Sequence, residues 1–178
     1  MQPLYDGIQS GDAILRLAEA GVIRAATPFA PDQVQPASLD LRLGRRVFRV
    51  RASFLPGPER PVRDRVGELA LHEIDLGGGA GLATGCVYIA ELLESLALPK
   101  DLSAAANPKS STGRIDVFTP VITDRAREFD AVEAGYQGPL YAEISPRTFP
   151  VLVRTGTRLS QLRLRRGEVR LDDAALGV

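Results

Sequence analysis

The sequence predicts a mainly β protein of the β-sandwich, jelly-roll or barrel type, with one helix near the N-terminus. Apolar residues alternate with other residues in many short runs, as they do on half-buried strands. Seventeen glycines and 13 prolines separate many of these runs as turn residues. The 178 residues are enough to bury a sizeable core, and we expect a single domain over 1–178.

The helix is expected within an N-terminal helical segment, residues 1–30. Asp12 can cap it, and Ile14 and Leu17 lie on one apolar face at helical spacing. Gly21 can end it, because glycine readily adopts the backbone conformation that terminates a helix. This face is expected to pack on the β core.

The first strands follow a proline-rich loop. Three leucines alternate with Asp40 and Arg42 over 39–43, which predicts a strand that ends at a glycine turn. The run 47–51 alternates in the same way. We therefore expect the two strands to form a hairpin around 44–46.

The composition changes to proline, glycine and charged residues over 53–65, which predicts an excursion from the core and not a domain linker. Strand-like runs resume after it. They cover 69–76, 86–93, 116–122, 139–144, 149–153 and 159–164. Residues 165–178 are expected to form a C-terminal extension.

The overall charge disfavours some classes of partner. The 22 Lys and Arg residues balance the 22 Asp and Glu residues, so no basic field favours a nucleic acid polymer or an acidic membrane. No apolar run approaches the length of a membrane span, and residues 1–6 lack the features of a secretory signal. We expect a cytoplasmic protein.

The single histidine and the single cysteine limit metal and redox chemistry. A zinc deaminase needs a His or Cys ligand and a Cys-x-x-Cys pair, and that set is absent from the sequence. Cys86 can form no internal disulfide and is expected to be a small core residue. His72 lies in an alternating run and is expected on the solvent face of a strand, which disfavours a catalytic triad.

The stretch 107–114, NPKSSTGR, concentrates groups that bind phosphate. Lys109 and Arg114 supply cationic donors, three hydroxyl side chains follow Lys109, and Gly113 lets the backbone approach a bound group. Serine-rich turns with basic residues are also common on surfaces. The local spacing alone favours a solvated loop over an anion-binding site.

Glu143 lies in a mostly apolar strand, between Ala142 and Ile144. A carboxylate in that position is either on the exposed face of an edge strand or in a pocket where burial raises its pKa towards a value useful for proton transfer. The pattern alone favours exposure.

Three blocks in order resemble the dCTP deaminase and trimeric dUTPase superfamily: QPASLDLRLG (35–44), KSSTGR (109–114), and GYQG (135–138) followed by Glu143. A fourth segment, 153–162, follows them. The resemblance favours the deaminase branch, because Glu143 follows the glycine-aromatic turn at the distance where dCTP deaminases place their catalytic glutamate. It is strongest with the N-terminal half of the two-domain bacterial dCTP deaminases, and it implies a dUTPase-like distorted jelly roll or β-barrel with one N-terminal helix and short helical turns.

The resemblance implies hydrolytic deamination of dCTP to dUTP and ammonia without zinc. Glu143 would activate the attacking water and then pass its proton to the ring and the leaving ammonia. Ser110, Ser111 and Arg114 would position that water and polarise the base.

The resemblance also implies how the nucleotide is held. Lys109 and Thr112 would bind phosphates, with Mg²⁺ bridging the triphosphate oxygens and no protein ligands to the metal. Asp130 would contact the 3′-hydroxyl, and Gln161 of the last block would bind substrate. Tyr136 would stack near the sugar, although an ordinary turn aromatic fits its position nearly as well. The substrate would be dCTP, with dUTP or dTTP as other possible nucleotide partners.

Members of this superfamily are homotrimers whose active sites lie between subunits, so the 109–114 stretch of one chain would face Glu143 of another. Two features depart from the compact single-domain enzymes. Extra residues occur at 125–128 and 131–134, so the loop that recognises the base cannot be aligned there. The sequence also lacks the Lys-Tyr-x-x-Gln-like tail that closes over the triphosphate, so either a second half supplies that lid or a short form closes otherwise.

Two other functions remain open at this point. One is a dUTPase or a bifunctional enzyme that releases dUMP and pyrophosphate, in which Asp130 would act on the attacking water. The other is a catalytically inert nucleotide-binding or structural domain of a longer protein.

Overall fold

The computed structural model describes residues 6–167 and shows a mainly β protein, as predicted. In that range there are three helices, α1 (Gly11–Glu19), α2 (Val62–Leu69) and α3 (Ser110–Arg114). The strands are β1 (Gly7–Ile8), β2 (Ile23–Ala25), β3 (Val34–Gln35), β4 (Ser38–Val50), β5 (Ala70–Asp75), β6 (Ala80–Leu82), β7 (Val87–Ala97), β8 (Leu102–Pro108), β9 (Val117–Phe118), β10 (Val121–Thr123), β11 (Ala131–Val132), β12 (Gln137–Pro146), β13 (Val151–Val153) and β14 (Arg158–Arg166).

One antiparallel sheet dominates the molecule and curls into a half-barrel. Its main strand order is β10-β12-β7-β4-β14-β8-β11, with short strands paired at its sides, and β6 and β13 form a separate two-stranded sheet. The long strands β4, β7 and β12 are adjacent. Neighbouring strands are therefore often far apart in sequence, which brings β12 against residues about fifty positions earlier in β7.

The curled sheet has an apolar side chain layer on each face. The inner face carries the larger core, to which β12 contributes Leu140, Ala142 and Ile144. The outer face carries a second cluster, which includes Ile89 of β7 and Tyr141 of β12. Because side chains alternate along a strand, Glu143 lies on the outer face with Tyr141.

The predicted hairpin around 44–46 is wrong, because β4 runs without a break from Ser38 to Val50. Gly44 is not a turn residue. The register of β4 with β7 shifts between Leu43 and Val47, which is a β-bulge, and a Cβ built on Gly44 would lie 2.5 Å from the Glu91 carbonyl oxygen. The glycine is there because the neighbouring backbone leaves no space for a side chain.

The predicted N-terminal helix is present, but its cap is wrong. Ser10 precedes the helix, and its hydroxyl accepts a hydrogen bond from the Ala13 amide at 3.4 Å. Asp12 is in the first turn, where a carboxylate interacts favourably with the helix dipole. Ile14 and Leu17 are buried as predicted, and Gly21 has a φ of 71° just after the helix.

The predicted excursion at 53–65 is also wrong in its main point, because this part of the chain packs on the outer face of the sheet. Phe54, Val62 and Val66 are buried in the outer cluster, and α2 begins within the segment. The helix was missed because glycine and several charged residues obscure its apolar spacing. Residues 51–69 thus form the cover of the outer face, above Tyr141 and Glu143.

The other sequence predictions concern His72, Cys86 and the C-terminal segment. His72 is exposed on β5 as predicted, and Cys86 is partly buried against the inner core. Strand β14 continues to Arg166, and most of the predicted C-terminal extension, 168–178, lies outside the described residues, so the extension stays a prediction. Among the described helices, none is long and apolar enough to cross a membrane.

Candidate functional site

Glu143 is a buried carboxylate in the middle of β12, with 2% of its surface exposed. It is paired with Ile89 of β7, and its amide donates to the Pro120 carbonyl at 2.9 Å. The expectation of exposure from the strand pattern was therefore wrong. The reason is that residues 51–69 cover a face that the local sequence alone marks as polar.

Two serines surround the Glu143 carboxyl group. The Ser53 hydroxyl donates to Oε2 at 2.7 Å, and the Ser145 hydroxyl lies 3.5 Å from Oε1. Burial raises the pKa of Glu143 above its usual value, while the two hydroxyl groups oppose that rise. A carboxyl group with a raised pKa takes up a proton more readily than an exposed glutamate and can return it later.

The stretch 107–114 spans the end of β8 and the short helix α3. Ser110, Ser111 and Arg114 are exposed on this helix, whereas Thr112 is 3% exposed and belongs to its buried side. The solvated-loop alternative is wrong in its structure, since these residues form a helical turn. Its exposed hydroxyl and guanidinium groups remain available to a ligand or a second chain.

Lys109 immediately precedes α3 and is paired within the protein. Its ammonium group donates to Oδ2 of Asp40, a residue that is 1% exposed. The guanidinium of Arg158 lies 3.7 Å from the same carboxylate oxygen. Lys109, the predicted phosphate-binding cation, is therefore already in an ion pair with Asp40 when no nucleotide is bound.

Gln161 lies next to this ion pair, because it is opposite Asp40 in the pairing of β14 with β4. Its side-chain carbonyl accepts a hydrogen bond from the Ser38 hydroxyl at 3.1 Å. The sequence blocks that contain Lys109, Asp40 and Gln161 thus meet in three adjacent strands.

Asp130 is held in a left-handed backbone conformation, with φ at 63°. Its Oδ1 accepts a hydrogen bond from the Val121 amide at 2.8 Å, and burial raises the pKa of its carboxyl group. Asp130 and Gly113 line the same open groove of about 230 Å³. The structure therefore places the predicted sugar-contacting residue beside the stretch 107–114.

The glycine turn 135–138 has a tight geometry that explains both glycines. Gly135 has a φ of 81°, and a Cβ on Gly138 would lie 2.6 Å from the Tyr136 hydroxyl. That hydroxyl donates to the Pro139 carbonyl at 2.6 Å and accepts from the Asp124 amide at 3.1 Å. Burial raises the pKa of Tyr136.

The Tyr136 hydroxyl is therefore fully used in hydrogen bonds within the protein. Only the Tyr136 ring is left for contact with a ligand. It lines an open groove of about 520 Å³ together with Arg125 and Arg127. These two arginines belong to the insertion that prevented alignment of the base-recognition loop.

The structure does not bring all predicted site residues together within one chain. Over residues 6–167, no hydrogen bond or ion pair joins α3 to Glu143. The two are linked through the sheet, since β9 follows α3 and pairs Phe118 with Ser145 of β12. Ser110, Ser111 and Arg114 thus lie near one end of β12, and Glu143 lies further along it.

Sequence reasoning missed both serines that contact Glu143. Ser145 could have been found, because it is two residues from Glu143 and must share its face of the strand. Ser53 carried no such signal. It is 90 residues away in sequence, and only the packing of 51–61 on the outer face brings it to the carboxylate.

The acidic side chains of the described chain form no metal site of their own. Between residues 6 and 167, no group of three or more His, Cys, Asp or Glu side chains is arranged to hold a metal ion.

A family model and individual relatives both match this chain, and all of them are dCTP deaminases. Residues 5–168 match the family model of the 2′-deoxycytidine 5′-triphosphate deaminase N-terminal domain. A dCTP deaminase of Halorubrum lacusprofundi is 32% identical over 157 residues, which cover 87% of this chain and 74% of that protein. A Beutenbergia cavernae protein named dCTP deaminase, dUMP-forming, is 31% identical over 147 residues, covering 82% of this chain and 73% of that protein.

A solved structure extends the relationship to three dimensions. The crystal structure of 2′-deoxycytidine 5′-triphosphate deaminase from Agrobacterium tumefaciens superimposes with a TM-score of 0.92 at 57% identity. The match covers 96% of this chain and 52% of that chain. This chain therefore spans about half the length of the Agrobacterium protein, and the match confirms the predicted fold.

Proposed function

The chain belongs to the dCTP deaminase N-terminal domain family, and from that membership we propose that it hydrolytically deaminates dCTP to dUTP and ammonia. The observation that carries the proposal is Glu143, a carboxyl group with a raised pKa buried on the strand that follows the glycine turn. A general base of this kind suits the addition of water to a cytosine ring.

In the proposed reaction, Glu143 removes a proton from water as the water oxygen bonds to C4 of the cytosine ring. The carboxylic acid that forms gives its proton to ring N3. A second proton, from the bound hydroxyl group, passes through Glu143 to the exocyclic nitrogen, the C4–N4 bond breaks, and ammonia leaves. A C4 carbonyl remains, so the base becomes uracil, and Glu143 ends as the carboxylate it was at the start.

Ser110, Ser111 and Arg114 are proposed to position the water and to stabilise negative charge that develops on the ring. Their exposure on α3, away from the Glu143 carboxyl group of the same chain, supports an active site shared between subunits. We propose a homotrimer in which α3 of one chain faces Glu143 of a neighbour.

The triphosphate is proposed to bind around Lys109, with Gln161 beside it. Because Lys109 is paired with Asp40, binding would replace one carboxylate partner of the ammonium group with phosphate oxygens. Arg158 is close enough to Asp40 to compensate that carboxylate. Mg²⁺ is proposed to enter with the nucleotide, and Thr112, which is buried, would contribute through the backbone of α3 and not through its hydroxyl.

The direct test is incubation of the purified chain with dCTP, with and without Mg²⁺. We expect ammonia and dUTP in equal amounts. A folded sample that binds dCTP but forms no product at high protein concentration would contradict the proposal. It would favour an inert nucleotide-binding domain.

A second candidate activity is deamination followed by release of pyrophosphate. It is favoured by the dUMP-forming names of several relatives and by Asp130, whose raised pKa and position in the groove beside Gly113 suit a second proton acceptor. Measuring dUMP and pyrophosphate in the same incubation separates the two candidates. With dUTP as substrate, only the bifunctional enzyme or a dUTPase would release pyrophosphate.

A further inference from the structure

The segment 51–61 crosses the outer face of the sheet and is fixed at both ends. Phe54 is buried in the outer cluster. Towards the other end, the Gly57 amide donates to the Ala126 carbonyl at 3.2 Å, and the Arg60 carbonyl accepts from the Arg125 amide at 3.1 Å. These contacts hold the segment between the outer cluster and the loop that lines the 520 Å³ groove.

Ser53 is the residue through which this segment reaches Glu143. Its hydroxyl donates to Oε2 at 2.7 Å, a distance typical of a strong hydrogen bond to a carboxylate. The other neighbouring hydroxyl, of Ser145, lies 3.5 Å from Oε1, where a hydrogen bond is weak. Only one of the two carboxylate oxygens is therefore firmly held.

We infer that Ser53 is a positioning residue for Glu143: it fixes Oε2 and leaves Oε1 as the oxygen that exchanges the proton with water. The inference rests on the proposed function, in which Glu143 is the general base. A carboxylate held through one oxygen keeps its orientation while the other oxygen gains and loses a proton. Nothing in the local sequence around Ser53 indicates this role, because the segment resembles a surface loop.

The hydrogen bond from Ser53 is the main polar influence on the Glu143 carboxyl group. Three of the charged groups on the elements packed around β12 are Glu91 of β7, Arg63 of α2 and Asp124 after β10. These three act on the Tyr141 phenol, which neighbours Glu143 on the same face. In the part of the chain that is described, burial and the two serines alone shift the Glu143 pKa.

Loss of the Ser53 hydroxyl should therefore raise the pKa of Glu143 further. The hydroxyl stabilises the ionised form, so its removal favours the protonated form. Because a general base must be ionised to accept a proton, the acid limb of the kcat/KM profile should move to higher pH. A shift of about one unit corresponds to a roughly tenfold loss of kcat/KM on that limb.

The experiment compares Ser53→Val with Ser53→Thr in the full chain. The valine and threonine side chains have nearly the same shape, and only threonine keeps a hydroxyl. Ser103→Ala is the control, because the Ser103 hydroxyl contacts the Arg165 carbonyl on β14, away from Glu143. For each variant, the Glu143 carboxyl group is titrated by carbon NMR, with Glu143→Gln to assign the signal, and the pH profile of dCTP deamination is measured.

We expect Ser53→Val to raise both the NMR pKa and the apparent kinetic pKa, and Ser53→Thr and Ser103→Ala to leave both near the wild-type values. Unchanged pKa values in folded Ser53→Val would overturn the inference, even if activity fell. The NMR titration also separates this inference from the proposed function. A shifted carboxyl pKa in a protein without deaminase activity would support the hydrogen bond and contradict the enzyme assignment.

Discussion

At the scale of single residues, Glu143 is the side chain on which the proposed chemistry depends. We expect Glu143→Gln to lower kcat by about 10²–10⁴-fold, since the amide cannot accept a proton from water. Nucleotide affinity should change little, because phosphate binding involves other residues. The measurements are steady-state kinetics and calorimetric titration with dCTP. Glu73→Gln, on the exposed strand β5, is the matched control.

The same substitution should alter stability in a pH-dependent way. Glu143 has a raised pKa in the folded protein, so ionising it costs more in the folded than in the unfolded chain. We expect Glu143→Gln to be more stable than the wild type at neutral pH. The difference should shrink as the pH falls through the raised pKa of the folded state, and it should be lost below the ordinary glutamate value of 4.5, where both states of the wild type are protonated. Urea unfolding at several pH values measures it; a difference independent of pH would contradict the assigned burial effect.

A second buried carboxylate, Glu94, has a structural role. The Arg42 guanidinium donates to Glu94 Oε1 at 2.7 Å, and both residues are buried. Arg42→Ala would leave Glu94 buried without its cation, and we expect a loss of about 3–5 kcal/mol in the free energy of unfolding. Arg45→Ala, in the same strand, removes only an exposed pair with Asp75 and should leave stability nearly unchanged. Denaturant unfolding of the two variants makes the comparison.

At the scale of elements, the sequence predicts strands well where large apolar residues alternate and poorly elsewhere. The strands β7, β12 and β14 were expected within a few residues of their observed bounds. Strand β8 was missed because its buried positions include the small residues Ala104 and Ala106, which give little hydrophobic signal. The hairpin at Gly44 was predicted because a glycine between two strands usually marks a turn. The need for glycine arises instead from β7, which no local pattern reveals.

Gly44 gives a direct test of that explanation. We expect Gly44→Ala to destabilise the protein by roughly 1–3 kcal/mol, because its new methyl group would meet the Glu91 carbonyl oxygen. Gly67→Ala is the contrasting control. Gly67 lies in α2, and a Cβ at this position would have nothing within 4 Å, so alanine should stabilise the helix by about 0.5–1 kcal/mol. Thermal or urea unfolding should give opposite signs for the two variants; equal effects would contradict the close-approach explanation.

At the scale of the whole molecule, the sequence predicted a set of candidate site residues but not their environment. The residues of the 107–114 stretch, Asp130 and Glu143 were proposed together because they match motifs of one family. The burial of Glu143 and its contact with Ser53 were not predictable, because both depend on the packing of 51–69 over a distant strand. The pairing of Lys109 with Asp40 has the same origin, in the adjacency of separate strands.

The separation of α3 and Glu143 in one chain leads to a prediction about assembly. If each active site takes Glu143 from one subunit and Arg114 from a neighbour, inactive Glu143→Gln and Arg114→Ala chains can complement each other. Random co-assembly in equal amounts should restore about a quarter of the wild-type activity. A site is intact only when the Arg114→Ala chain supplies its Glu143 and the Glu143→Gln chain supplies its Arg114, and each condition is met about half the time. Co-expression or refolding of the mixture, with light scattering to confirm a trimer, provides the measurement.

A mixture of Ser110→Ala and Arg114→Ala chains is the control and should restore nothing, since Ser110 and Arg114 of every site come from the same subunit. An active Glu143→Gln and Arg114→Ala mixture therefore requires shared sites, and an inactive mixture in confirmed mixed trimers would place Glu143 and Arg114 of one chain in the same site.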